Sequence, residues 1–282
     1  MKQHAGASRR TMAAIVLGVA AGAFALGSVL AAGAARPRSA APPGFAGAVL
    51  LSHVNNPGKT PGFPGDPVFR IRTTFTVDRD GYYLRYVHEG EHTGTHYSAP
   101  CHFHVGEICA PKLTAEDLVL PAVVLDVREQ VADDADYAIT VADLAAWEAE
   151  HGPMPSEAAV LALTGCDAYW GASAAKDEGT YYNCGTRGAF HQPGFSLEAV
   201  EWLIDRGVLG ERGALGTDTF GPDPGTDPDF LETALTLDEH RLTLENLTNL
   251  DRLPAVGAWI VIGGPRNAKG SGAPGSIIAL VP

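Results

Sequence analysis

Basic charge is scarce in this chain. It has 20 Lys and Arg against 33 Asp and Glu, a net charge of −13. Lys2, Arg9 and Arg10 fall within residues 1–34, which hold no acid, so the rest carries 17 basic against 33 acidic residues, or −16. A surface that negative repels phosphate backbones, which excludes nucleic acid as a partner. Cysteine is also sparse. Cys101, Cys109, Cys166 and Cys184 include no C-x-x-C pair, so a cysteine-built structural zinc is excluded. Their even number permits disulfides; three pairings stay open, as do free buried thiols. Internal repeats and a second linker are both missing, which leaves one large domain for the 282 residues. Apolar residues at 45% with 19% charged describe a globular chain, and 33 Gly with 20 Pro favour turns and short strands over a helical bundle.

The N-terminus is read as a targeting segment. Arg9-Arg10 precede an uncharged run over 12–35, and Ala32-Gly33-Ala34 fit a small-residue cleavage site. A paired arginine before a mild apolar run is similar to a twin-arginine export signal. Residues 1–34 are thus either a cleaved signal peptide or an uncleaved membrane anchor, since the run is long enough to span a bilayer. Both place the domain outside the cytoplasm. Residues 35–44 read as a linker, and 45–282 as the domain.

Within the domain, 69–77 and 82–87 are strand-like, with Asp78-Arg79-Asp80-Gly81 as a hairpin turn. Residues 122–127 and 159–163 are short apolar runs suited to buried strands. Thr140 caps a helix over 140–151 that stops at Gly152-Pro153, and Ser196 caps one over 197–206 that ends at Gly207. Residues 242–247, 258–262 and 277–281 complete the strands. The expectation is an α/β fold with a mixed sheet flanked by helices. The stretch 221–229 (GPDPGTDPD) reads as a mobile polar loop.

Four of the ten histidines fall within thirteen positions: His92, His96, His102 and His104. All are at even positions. Pro100 forbids a continuous helix, and in an extended chain residues of equal parity share a side. His92, His96, Ser98, His102 and His104 then face one cavity unless the chain turns at Pro100. Gly94, on that side, leaves room between two imidazoles for an ion or substrate. Neutral imidazole is a common metal ligand, and a histidine-rich surface strand is the bland alternative.

The segment is similar to the H-x-G-T-H-x-D-x-P-x-H signature of the cyclase family, which includes bacterial kynurenine formamidases and isatin hydrolases. Six of seven fixed positions are present: His92, Gly94, Thr95, His96, Pro100 and His102. The resemblance continues through Leu51-Ser52-His53, Phe63-Pro64-Gly65-Asp66-Pro67, Thr164-Gly165, His191 to Ser196, Gly216-Thr217-Asp218-Thr219 and Leu244-Glu245-Asn246-Leu247. It implies a swivelling β/β/α-type single domain, often oligomeric, that binds zinc or manganese and opens or forms amide and related bonds. On that resemblance His92, His96 and Glu245 are metal ligands and His102 is the general acid/base.

Two positions depart from the pattern. The motif's Asp is Ser98, and a neutral hydroxyl brings no charge to a divalent cation. The position of a second-metal histidine is Thr233, with His240 nearby but out of register. One divalent ion, or none, is expected in place of two. His104, His191 and Asp218 are further pocket candidates. Tyr97, Trp170, Tyr181, Tyr182 and Phe190 are candidates for an aromatic wall around a planar small-molecule substrate. Three readings follow: a hydrolase of a C–N bond in an aryl formamide or cyclic amide, a ring-closing or dehydrating enzyme of secondary metabolism, and a metal-free binding protein that keeps the pocket.

Overall fold

A computed structural model describes residues 44–171, 180–186 and 188–282; the expected export segment, and all of the linker except Gly44, lie outside them. In chain order the strands are β1 (Gly47–Leu50), β2 (Arg70–Phe75), β3 (Leu84–His88), β4 (His96–Ser98), β5 (Val119–Asp126), β6 (Ala138–Ile139), β7 (Ala159–Leu163), β8 (Gly194–Phe195), β9 (Arg212–Thr217), β10 (His240–Glu245), β11 (Val256–Gly263), β12 (Gly272–Pro274) and β13 (Ser276–Val281). The α-helices are α1 (Val77–Asp80), α2 (Arg128–Asp133), α3 (Val141–His151), α4 (Leu197–Asp205) and α5 (Leu231–Thr236).

Nine strands form one mixed sheet in the order β1-β13-β11-β5-β7-β9-β10-β4-β12. The central four, β5, β7, β9 and β10, run parallel, and the flanking strands pair antiparallel. The apolar runs at 122–127 and 159–163 lie side by side, with Ala122 opposite Ala159. Their residues alternate between two cores. Val124, Ala159 and Leu161 enter one; Val123, Leu125, Val160 and Ala162 enter the other. Helices α3 and α4 cover the second core with Leu144, Trp147, Val200 and Leu203. The first core is filled from both ends of the sheet, by Val49, Ile277, Tyr97 and Ala273, so the sheet curls around it. Burying a Leu or Ile side chain of this kind stabilises by about 1.5–3 kcal/mol before chain entropy is counted.

Local signals placed two helices well. Thr140 and Asp143 form a reciprocal capping box on α3, and Gly152 ends it. Ser196 caps α4 through the Ala199 N–H. The hairpin differs from expectation: β2 and β3 pair, but the link contains the helical turn α1, closed by Gly81 at φ 80°. The 221–229 loop also differs. Gly221, Pro222, Asp223 and Pro224 are buried, and the Gln192 amide donates to the carbonyls of Gly221 and Asp223. All four cysteines are paired, Cys101 with Cys109 and Cys166 with Cys184. Among the described residues no helix is long and apolar enough to cross a membrane.

Candidate metal and catalytic site

The site forms where β10 ends beside β4. Their antiparallel register sets Glu245 opposite His96 and Thr243 opposite Ser98. Pleating sends His96 and Ser98 to one side and Tyr97 into the core. His92 reaches the same space from the bend before β4. The chain then turns at Pro100, the first residue of a short 3-10 helix (Pro100–His102), which returns His102 to the cavity. His92, His96, His102, Glu245 and Asp66 line a cavity of about 480 Å³.

Hydrogen bonds fix the proton on two of the imidazoles. His96 Nδ1 lies 2.8 Å from the Gly94 carbonyl and must donate to it. Its Nε2 therefore presents a lone pair. That atom is buried without a hydrogen-bond partner, 3.1 Å from Glu245 Oε2. The Ser271 hydroxyl donates to Glu91 at 2.9 Å, so at 3.0 Å it accepts from His92 Nε2. The His92 lone pair then sits on Nδ1, 3.2 Å from Ser98 Oγ. Ser98 has one proton and gives it to Glu245 Oε1 at 3.1 Å; Thr243 also donates to that oxygen, at 2.7 Å.

His96 Nε2 and Glu245 Oε2 thus face each other 3.1 Å apart, and Ser98 Oγ stands between that carboxylate and the His92 lone pair. The His96–Glu245 spacing suits two ligands of one divalent cation: ligands at about 2.1 Å from one ion lie roughly 3.0–3.4 Å from each other. The Glu91–Ser271–His92 and Gly94–His96 contacts fix the orientation of both rings, as outer hydrogen bonds do for histidines that hold a metal. Without a cation, a proton takes that place. Burial lowers the His96 pKa, but the facing Glu245 carboxylate outweighs it and raises the value. Burial raises Glu245, yet His96 holds it down at about 2. Burial, reinforced by the two neighbouring imidazoles, lowers His92 to about 3, and burial also lowers His102. Both are neutral at neutral pH, the form in which an imidazole can bind a cation or accept a proton.

The cyclase family model, Cyclase, matches residues 49–224, more than half of the chain. The chain belongs to the cyclase family. Isatin hydrolase of Roseibium aggregatum is 32% identical over 223 residues, covering 77% of this chain and 82% of that protein. Isatin hydrolase A from Labrenzia aggregata, solved with benzyl benzoate, matches with a TM-score of 0.72 at 29% identity, over 83% of this chain and 93% of that one. An isatin hydrolase bound to the product analogue thioisatinate matches with a TM-score of 0.73 at 28% identity, over 83% and 92%. The curled mixed sheet with few helices is the fold of these cyclase-family structures.

Within this cyclase-family site, several sequence expectations need correction. The shared parity of the histidines holds only through the three residues of β4. Beyond Pro100 the turn breaks it, and His104 points away to donate to the Ala234 carbonyl at 2.7 Å. Gly94 does not make room for an ion. At φ 65°, a Cβ there would strike the Asn55 side chain, so the glycine is needed for the close packing of that loop. Thr95 ties loops together, donating to the Asn246 carbonyl and accepting from the His53 N–H. Asp218 is a buried clamp. It accepts from Thr164 N and Oγ1 and Gly165 N, joining the ends of β7 and β9. Burial raises its pKa to about 6 against those bonds. His191 pairs with Asp136 at 2.7 Å outside the cavity wall, while Phe190 and Gln192 on either side of it line the cavity. His240 begins β10, at the opposite end from Glu245, and faces Asp117. Thr233 does line the cavity, and its N–H and hydroxyl are both bound to Asp223.

The aromatic wall is also different from the expected one. Of the five candidates only Phe190 lines the cavity; Tyr97 and Tyr181 are buried, Trp170 stacks on His53, and Tyr182 packs behind Phe190. The wall is Phe63, Phe103, Phe190, Phe220 and Phe230. Phe63 makes edge contacts with Phe190, Phe220 and Phe230. Asp66 and Phe63 were visible as a family-like segment with no role attached. Ser271 had no local signal, because only the pairing of β12 with β4 brings it to His92.

Proposed function

We propose that this protein is a metal-dependent hydrolase of a cyclic amide or aryl formamide C–N bond, as the relatives named isatin hydrolase suggest. The observation that carries the reading is the buried His96 Nε2 facing the Glu245 carboxylate, which Ser98 links to His92 Nδ1. His96, Glu245 and His92 would hold one zinc or manganese ion. Such an ion activates water near neutral pH and polarises a carbonyl. Ser98 donates to Glu245 and fixes that carboxylate's orientation. His102, neutral and open to the cavity, takes a proton from the attacking water and delivers it to the leaving nitrogen. The five phenylalanines exclude water and seat a planar ring.

Metal analysis together with turnover tests this. Purified protein is expected to hold at most one tightly bound divalent ion per chain, lost in His96→Ala, and to open isatin or cleave formyl-aniline only when loaded. Two ions per chain, or equal turnover after chelation, would refute it.

Two further parts of the reading are proposals. Export by the twin-arginine route rests on Arg9-Arg10, and two disulfides suit an oxidising compartment. Retention of an Arg9→Lys, Arg10→Lys variant in the cytoplasm supports it; unchanged secretion ends it. A homo-oligomer is proposed on the hairpin, where Tyr82, Tyr83, Leu84, Tyr86 and Val87 are all exposed. A monomer in sedimentation experiments would dismiss that.

A further inference from the structure

Phe103 and Phe230 are 38% and 37% exposed, although both line the cavity that holds the histidines. They meet edge to face, with ring centroids 6.3 Å apart. Each is pinned by the chain. Phe103 follows His102 inside the loop that the Cys101–Cys109 disulfide closes. Phe230 has φ 56° and ψ 46°, a left-handed conformation that a bulky residue adopts only when its surroundings impose it. Asp227 imposes it here, since its carboxylate accepts the N–H groups of Asp229 and Leu231 on either side. The wall they belong to is continuous with the reacting end. The Phe103 ring lies 5.1 Å from the His102 ring, and Phe63 meets Phe230 at 5.9 Å. Phe63 in turn stands at 86° and 77° to Phe190 and Phe220. Rings crossed in this way present faces and edges to one slot, the surroundings in which a flat aromatic ring packs well.

We infer that the substrate has a second aromatic ring, joined to the ring that bears the scissile amide and seated against Phe103, Phe230 and Phe63. The inference rests on the hydrolase reading and names the substrate class of that site. The cavity has room for it: at protein packing density a fused lactam of isatin's size fills only about a third of the 480 Å³. With the amide at His96 and His102, the first ring passes Phe103 and the second reaches Phe230. Covering the two exposed rings releases water from apolar surface, which favours binding. Phe230 sets the preference. Its fixed backbone holds the ring at 70° to Phe63 and 69° to Phe103, so the slot exists before the substrate enters.

The test titrates purified protein with acetophenone, 4-acetylbiphenyl and 4-cyclohexylacetophenone by calorimetry. These ketones have no C–N bond to open, so binding is read apart from turnover. 4-Acetylbiphenyl is expected to bind about ten- to hundred-fold more tightly than acetophenone, the worth of taking one phenyl group out of water. It should also bind about two- to ten-fold more tightly than the cyclohexyl compound, whose puckered ring has similar apolar area but no aromatic face or edge. Phe230→Ala and Phe103→Ala are expected to lower the ratio of two-ring to one-ring affinity several-fold, and Phe230→Tyr, which keeps the ring, to retain it. Equal affinity for acetophenone and 4-acetylbiphenyl overturns the inference. So does a cyclohexyl compound that binds as tightly as the biphenyl, or an unchanged ratio in both alanine variants. Turnover of isatin and 5-phenylisatin separates the two readings. If neither is opened but the ketone preference holds and falls in the variants, the slot stands and the hydrolase reading falls. If both are opened with equal kcat/KM and the ketones bind equally, the hydrolase reading stands and the slot falls.

Discussion

The His102 ring lies flat against the His92 ring, with centroids 3.9 Å apart and planes 23° apart. This stacking joins a residue with an inward lone pair to one that is open to the cavity and has no metal-directed partner. His102→Ala is expected to keep the bound ion, because the His96 and Glu245 contacts do not involve it. Turnover should fall by about 10²–10⁴-fold, the usual worth of a positioned acid/base group. His104→Ala should cost far less, since His104 faces the Ala234 carbonyl. Metal content and turnover measured on both variants decide it; loss of the ion from His102→Ala would make His102 a ligand.

Ser98→Asp restores the carboxylate of the family motif, at a fully buried position between His92 and Glu245. The new charge lies close to Glu245. Like charges in a buried site repel, so the metal-free variant is expected to melt several degrees below the parent; a loss of about 1–3 kcal/mol shifts a domain of this size by roughly 2–10 °C. A divalent cation reverses the sign, because the added carboxylate is a strong oxygen donor. Metal affinity should rise by about ten-fold or more, with a larger metal-induced gain in Tm than in the parent. Equal metal-induced shifts in the two proteins would show that position 98 does not face the ion.

Much of this arrangement could be read from the chain, but unevenly. The strand over 159–163 and the caps at Thr140 and Ser196 were legible because burial patterns and capping act within a few residues. The family-like segments located His96, His92, His102 and Glu245. Their mutual geometry was not legible. Glu245 meets His96 only through strand register across 149 positions, and Ser271 meets His92 across 179. The parity of the histidines gave the right cavity for His102 by the wrong path, since a turn and not an extended strand carries it there. The aromatic wall was missed for the same reason. Phe63 comes from the segment before β2, and Phe220 and Phe230 from the two ends of the loop between β9 and α5, so no spacing rule links them.

The disulfide between Cys101 and Cys109 closes the loop that carries His102 and His104. Replacing both cysteines by Ser is expected to cost about 2–3 kcal/mol through the loop entropy of the unfolded chain. Because His102 directly follows Cys101 in the 3-10 turn, kcat should fall more than KM rises. The pair Cys166–Cys184 joins a turn after β7 to the segment at Tyr181–Asn183, so its loss should lower Tm without that split. Melting curves and steady-state kinetics of the two double variants make the comparison.

Glu232 predicts a pH dependence of stability with a definite sign. Its ordinary pKa of 4.5 is raised to about 8 in the folded protein, first by burial. The folded state therefore holds a proton that the unfolded state releases between these two values. The unfolded chain binds fewer protons in that window, so stability is full below about pH 4.5 and declines as pH rises toward 8. Glu232→Gln carries the neutral amide at every pH and removes this contribution. Urea unfolding at pH 5.5 and pH 8.5 should show the parent losing more stability than the variant over that interval. His53, lowered to about 4, and Glu245, held at about 2, titrate in both proteins and cancel in the comparison. Parallel losses in parent and variant would mean that Glu232 is ionised in the folded protein at neutral pH.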